Sequence, residues 1–163
     1  MKIVIVGART RGELVDHPLV NEILDHCLSK YSKLMVITKS CDRGVGKIIQ
    51  DRCKDIHVPR KINFEMTEFS IRQELFQEMS RHDFLMYWNA LNNALVAMGE
   101  EFHILAEERP KGNIIDLITK VRAAHVPYAI YSPRDSKNGV KIPDYCGGTY
   151  PNIIPEETSA KSS

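Results

Sequence analysis

Three short polar stretches carry the residue types that hold anions. Gly7-Ala8-Arg9-Thr10-Arg11-Gly12 follows the apolar run Ile3–Val6. Lys39-Ser40-Cys41-Asp42-Arg43-Gly44-Val45-Gly46 follows Leu34–Thr38, and Glu107-Glu108-Arg109-Pro110-Lys111-Gly112-Asn113 follows Phe102–Ala106. Each lies between a strand pattern and a helical pattern. Glycine lets the backbone turn sharply behind a strand. The unpaired N–H groups at a helix start attract phosphate, and guanidinium or ammonium groups offset its charge. The candidate ligand contacts are therefore Gly7, Ala8 and Arg9 in the first stretch and Ser40, Asp42, Arg43, Gly44 and Gly46 in the second. In the third they are Lys111, Gly112 and Asn113.

Each stretch also has a plainer reading. The first also reads as a solvated basic turn, which suits Arg11 better than Arg9, since only Arg9 sits directly at the strand end. The second lacks the GxxxxGK[ST] spacing of a P-loop and fits an ordinary βα connection. Asp42 there is either a helix cap or a partner for a ribose hydroxyl. Cys41 at a helix start is a weak nucleophile candidate, since no His is fixed beside it by sequence. In the third, Asn113 is a good N-cap, and Asp116 three residues on suits the helix dipole.

The elements that must position these stretches alternate. Ile3–Val6, Leu34–Thr38, Phe102–Ala106 and Ala129–Tyr131 read as buried parallel strands. A further strand falls in Ile56–Val58 or Ile62–Met66. Helical periodicity marks His17–Tyr31, the segment after Gly44 to about Lys54, Ser70–Met79, His82–Met98 and the segment from Ile114 to Val121. Within His82–Met98 the pair Asn92-Asn93 needs a reason, because Asn is a poor interior helix former. Either it faces water or its amides reach the site. Gly99 ends that helix. Val140-Lys141-Ile142 resembles a short strand, and residues 155–163 read as a polar, disordered tail.

The 163-residue chain is of one-domain size. A net charge of +1 gives no global basic field for nonspecific DNA binding. No apolar run approaches the ~20 residues of a membrane helix, so no membrane partner is expected. Met1–Gly7 reads as a first strand rather than a signal peptide. Cys27, Cys41, Cys53 and Cys146 form no CxxC pair. Scattered cysteines in such a chain point to free thiols and a cytoplasmic location. The spacing assigns no metal and no cofactor, although separated residues can converge in space.

With these elements in order the chain resembles the SLOG superfamily. That group of Rossmann-like domains includes the DprA DNA-processing proteins, the LOG phosphoribohydrolases, and small phage and bacterial proteins of the YspA type. The resemblance is carried by Gly7-Ala8-Arg9 after a strand and by Thr38 to Gly46 leading into a helix. It is also carried by the helical pair Asn92-Asn93, the strand Phe102–Ala106 and the turn Gly112-Asn113. It spans about residues 2–131. LOG enzymes carry Pro-Gly-Gly-x-Gly-Thr-x-x-Glu, and Gly112-Asn113-x-x-Asp116 aligns with its second half, without the double glycine. Nucleoside deoxyribosyltransferases share a Gly-Thr-x-x-Glu-Leu turn that aligns with Gly112–Leu117.

The expected fold is α/β: a Rossmann-like three-layer sandwich of about five mostly parallel strands with helices on both faces. It fills one nucleotide-binding domain over residues 1–150, and residues 151–163 form a flexible tail. The resemblance implies cleavage or transfer at a nucleoside N-glycosidic bond, with Asp116 as the catalytic residue and Asn92 among the ligand contacts. Bond breaking leaves positive charge on the sugar, which a carboxylate beneath the ring stabilises or attacks. Asp is a methylene shorter than Glu, which retracts that carboxylate by roughly 1–1.5 Å. The alternative keeps the crevice without the chemistry, as a binder of a nucleotide, a nucleotide-derived signal or single-stranded DNA. Arg9, Arg11, Lys39, Arg43 and Lys111 would then form a local basic rim. A third reading is an interaction protein with a vestigial crevice. SLOG relatives often pair, so a homo-oligomer is expected. Met79, Phe84, Tyr87 and Trp88 offer either a dimer face or core packing.

Overall fold

The computed structural model describes residues 1–39, 44–56, 63–69 and 79–143. The strands are β1 (Lys2–Gly7), β2 (Lys33–Lys39), β3 (Asn63–Phe69), β4 (Glu101–Leu105) and β5 (Tyr128–Tyr131). The described helices are α1 (His17–Lys30), preceded by a 3-10 turn at Leu14–Asp16, then α2 (Val45–Ile56), α3 (Arg81–Met98), α4 (Asn113–Ala123) and α5 (Pro133–Asn138). All strand pairs are parallel, in the order β3-β2-β1-β4-β5. Of the about five strands expected, β2, β1, β4 and β5 carry described side chains and form the core. β3 is an edge strand whose backbone pairs with β2 from Lys33↔Asn63 to Lys39↔Phe69.

Strand residues alternate between two apolar layers, as the two-residue pleat requires. Ile3 and Ile5 of β1 face Leu19, Val20, Ile23 and Leu24 of α1 and Val45, Ile48 and Ile49 of α2. Val4 and Val6 face Leu91 and Leu95 of α3 and Ile114, Leu117, Ile118 and Val121 of α4. The central strands are thus covered on both faces, which is why they read as continuous apolar runs. Tyr87 and Trp88 pack against the second layer, whereas Phe84, Leu85 and Met86 on the first turns of α3 are exposed.

The connections explain this placement. β1 leads through α1 to β2 on one side, and β4 and β5 lie on the other side of β1. The switch point therefore falls between β1 and β4, which pair from Ile3↔Glu101 to Gly7↔Leu105. Crevices at such points open beyond the carboxyl ends of the strands.

Some expectations need correction. Val140-Lys141-Ile142 is irregular, with Ile142 buried in the first apolar layer. The segment after Ser132 forms α5, started by a capping box between Ser132 and Asp135. Gly99 does end α3, but with φ −78° rather than a left-handed cap. Its value is space: a Cβ there would sit 2.5 Å from Val4 and 2.6 Å from Phe102. The helix expected at Ser70–Met79, apart from Met79, and the tail at 151–163 lie outside the described residues. No helix among the described residues is long and apolar enough to cross a membrane.

Candidate functional site

Because the strands are parallel and in register, the three candidate stretches leave the sheet at one edge. Gly7 closes β1, Lys39 closes β2 and Leu105 closes β4. Ala8 N–H continues the ladder by donating to the Leu105 carbonyl at 2.8 Å. Arg9 then turns out to solvent. Thr10 donates across the crevice mouth to Glu107 at 2.7 Å.

Glycines let the first two connections meet. Gly12 has φ +95°, and a Cβ there would lie 2.2 Å from the Gly44 backbone. A Cβ on Gly7 would lie 2.4 Å from Val45, and one on Gly46 would lie 2.1 Å from the Lys39 carbonyl. Gly7 and Gly46 thus meet protein, and their smallness brings the start of α2 against β1 and β2. Ser40, Asp42, Arg43 and Cys41 lie outside the described residues.

The polar centre of this edge is Asn92, fully buried in α3. Its Nδ2 donates to the Asn113 carbonyl at 2.9 Å and to Asp116 Oδ2 at 2.8 Å. Its Oδ1 accepts from Lys39 Nζ at 3.4 Å. The Lys39 ammonium also lies 4.8 Å from the centre of the Trp88 ring, within cation–π range. One amide therefore joins the end of β2, the middle of α3 and the first turn of α4. Asn93, its neighbour, is exposed. The reason required for an Asn in this helix is buried bonding for the first residue and solvation for the second.

Asp116 receives a second donor, Lys120 Nζ at 2.6 Å, one helical turn along. Lys120 also donates to Asn89 of α3. Burial raises the Asp116 pKa, but the hydrogen bonds from Asn92 and Lys120 and the charges of Lys120 and Lys39 outweigh it. The carboxyl is held below its ordinary value. An ionised, oriented carboxylate that keeps partial exposure suits a nucleophile or a stabiliser of positive charge, not a proton donor.

Gly112, not Asn113, is the N-cap of α4, with φ +59° and no side-chain cap bond. Asn113 is the first helical residue. A Cβ added at Gly112 would meet open space, and the N-cap residue itself supplies no side-chain bond to the first turn. Lys111 and Gly112 are exposed beside it.

Two basic residues leave the rim. Arg11 is buried and ion-paired with Asp16 at 2.7 Å. It also donates to the carbonyls of Ala106 and Tyr131 and to Ser136. It clamps the ends of β4 and β5 to the start of α1. Lys39 is buried under Trp88. Arg9 and Lys111 remain exposed cations, next to Glu107, held by Thr10, and Glu108, paired with Arg134 at 3.0 Å.

Sequence reasoning missed Lys120, Asn89 and the pairing of Lys39 with Trp88. Lys120 was findable, since Asp116 and Lys120 have the i,i+4 spacing of a helical ion pair. Trp88 shares a helix face with Asn92 by the same spacing. As assembled, the edge combines a helix start whose N-cap is a glycine with an oriented carboxylate one turn behind it. No family model, no curated protein and no solved structure matches this chain.

Proposed function

We propose that this chain binds a nucleotide or nucleoside phosphate at the carboxyl edge of its sheet, and that Asp116 acts on the N-glycosidic bond. In this reading the sheet is Rossmann-like, as its strand order about the β1–β4 switch point suggests. The phosphate lies on the N–H groups at Gly112 and Asn113, with Arg9 and Lys111 offsetting its charge. The sugar lies toward Asp116, whose carboxylate stabilises or captures the developing oxocarbenium ion. The resemblance to SLOG domains points the same way. The observation that carries the reading is the Asn92 amide. It ties Asp116 and the α4 start to the end of β2, so the carboxylate and the anion site form one rigid unit.

The test is a thermal-shift screen of nucleosides, nucleotides and single-stranded DNA, followed by chromatography for released base. Free base that vanishes with Asp116→Asn supports the glycosidic reading. A second reading, a binder without turnover, is favoured by the engagement of Asp116 Oδ2 with both Asn92 and Lys120. It predicts nucleotide stabilisation with no free base. Single-stranded DNA would reveal itself by steep loss of affinity with salt, because several phosphates are neutralised at once.

A further inference from the structure

A second cluster of reactive groups lies on the opposite face of β4, between that strand and α1. His103 Nε2 stands 2.9 Å from Glu101 Oε1 and 3.7 Å from Cys27 Sγ. All three side chains are buried, and one ligand atom from each falls within 4.8 Å of the others. We propose that Cys27, Glu101 and His103 form a binding site for a thiophilic divalent cation of the zinc class.

The distances fit the ion. With metal–nitrogen and metal–oxygen bonds of about 2.0–2.2 Å and a metal–sulfur bond of about 2.3 Å, the edges of a tetrahedron are about 3.3–3.7 Å. The His103–Cys27 edge lies at the upper end of that range, the His103–Glu101 edge must open by a few tenths of an ångström, and the Cys27–Glu101 edge, within 4.8 Å, closes onto the ion. The ligand set is mixed thiolate, imidazole and carboxylate, which suits zinc rather than calcium or magnesium.

The surroundings supply what such a site needs. The Tyr131 hydroxyl lies 2.8 Å from His103 Nδ1 and fixes the ring, as partners of metal-bound imidazoles do. Tyr31 donates to Glu101 Oε2 at 2.6 Å and so orients the carboxylate ligand. A further imidazole, His26, precedes Cys27, and its buried Nε2 has no hydrogen-bond partner among the described residues. Lys30, its side chain largely buried, lies 3.8 Å from Glu101 Oε2. Its long stem lets the ammonium move outward when a cation enters.

The protons balance simply. Without metal, the carboxylate accepts from His103 Nε2–H, and burial keeps Cys27 a thiol. On binding, Cys27 releases one proton to solvent and becomes the thiolate ligand. His103 stays neutral but carries its proton on Nδ1, directed at the Tyr131 oxygen, and frees Nε2 for the metal. Glu101 stays ionised throughout. No oxidant or reductant is involved.

The experiment uses the full chain, stripped with a chelator and titrated with Co²⁺ and then Zn²⁺. The proposal predicts one Co²⁺ per chain, with a thiolate-to-cobalt charge-transfer band and the visible bands of tetrahedral cobalt, all removed by Zn²⁺. It predicts that Cys27→Ser lacks the charge-transfer band. The variant with Cys41, Cys53 and Cys146 all replaced by Ser keeps it. Absence of the band in the wild type, its persistence in Cys27→Ser, or its loss in the triple variant would overturn the proposal. Should Cys27→Ser not fold, the triple variant decides alone.

Discussion

Asn92 on α3 donates to Asp116 on α4 at 2.8 Å, and the same amide nitrogen donates to the Asn113 carbonyl at 2.9 Å. A single buried side chain thus sets both the carboxylate and the helix start it serves. Replacing it by Ala removes both bonds and leaves buried polar groups unpaired. The expected loss is about 2–3 kcal/mol of unfolding free energy in urea, at the upper end for a hydrogen-bond deletion. A loss below about 0.5 kcal/mol, as at a surface position, would show that this amide does not organise the edge.

Arg11 and Asp16 form a buried pair that also receives Gly12 N–H and Ser136. Breaking it one-sidedly strands a charge, so Arg11→Met should cost about 3–5 kcal/mol. The double variant Arg11→Met with Asp16→Leu should cost less than the two single changes added together. Denaturant titration of the four proteins in this cycle measures the coupling, and strict additivity would refute it.

Acid should weaken the protein in two stages. Burial holds the pKa of His103 below its ordinary 6.5. A neutral buried His therefore stabilises fully above about pH 6.5, and its contribution is lost as pH falls from there toward the folded value. Burial pushes Glu101 up, but hydrogen bonds from His103 and Tyr31 outweigh it and leave it below its ordinary 4.5. Its contribution is complete above about pH 4.5 and is lost below. The slope is at most about 1.4 kcal/mol per pH unit for each proton taken up. In chelator-treated protein, His103→Gln should flatten the melting temperature just below pH 6.5 and, by removing a donor to Glu101, move the lower stage to higher pH. An unchanged profile would contradict the assignment.

Two glycines with positive φ should respond differently to Ala. Gly112 faces open space, so Gly112→Ala costs only backbone strain, about 1–3 kcal/mol. Gly12→Ala adds a Cβ 2.2 Å from the Gly44 backbone to a strained φ of +95°. It should be clearly the more destabilising of the two, read by thermal melting. The reverse order would mean that the β1 and α2 connections do not touch.

What was legible in the sequence follows from burial. β1, β2, β4 and β5 are covered on both faces or lie beside strands that are, and their unbroken apolar runs announce it. Asn92 could be singled out because an Asn in a helix interior demands a partner. Arg11 and Lys39 were misplaced for the opposite reason. A charged side chain reads as surface, and what brings each inside includes partners far along the chain, the carbonyls of Ala106 and Tyr131 beside Asp16 for Arg11 and Trp88 for Lys39. The Cys27–Glu101–His103 cluster was invisible for the same cause, since α1 and β4 meet only in the folded protein. α5 was missed because a six-residue helix has too few turns to show a period.

The most direct measurement is calorimetric titration of a nucleoside monophosphate into the wild type, Arg9→Ala and the control Arg134→Ala. Arg9 is exposed, so its removal leaves the fold intact and takes away a charge-assisted contact of about 1.5–3 kcal/mol. The account predicts wild-type binding that weakens roughly 10- to 100-fold in Arg9→Ala and is unchanged in Arg134→Ala. Equal affinity in all three proteins, or no binding to any nucleotide, would contradict it.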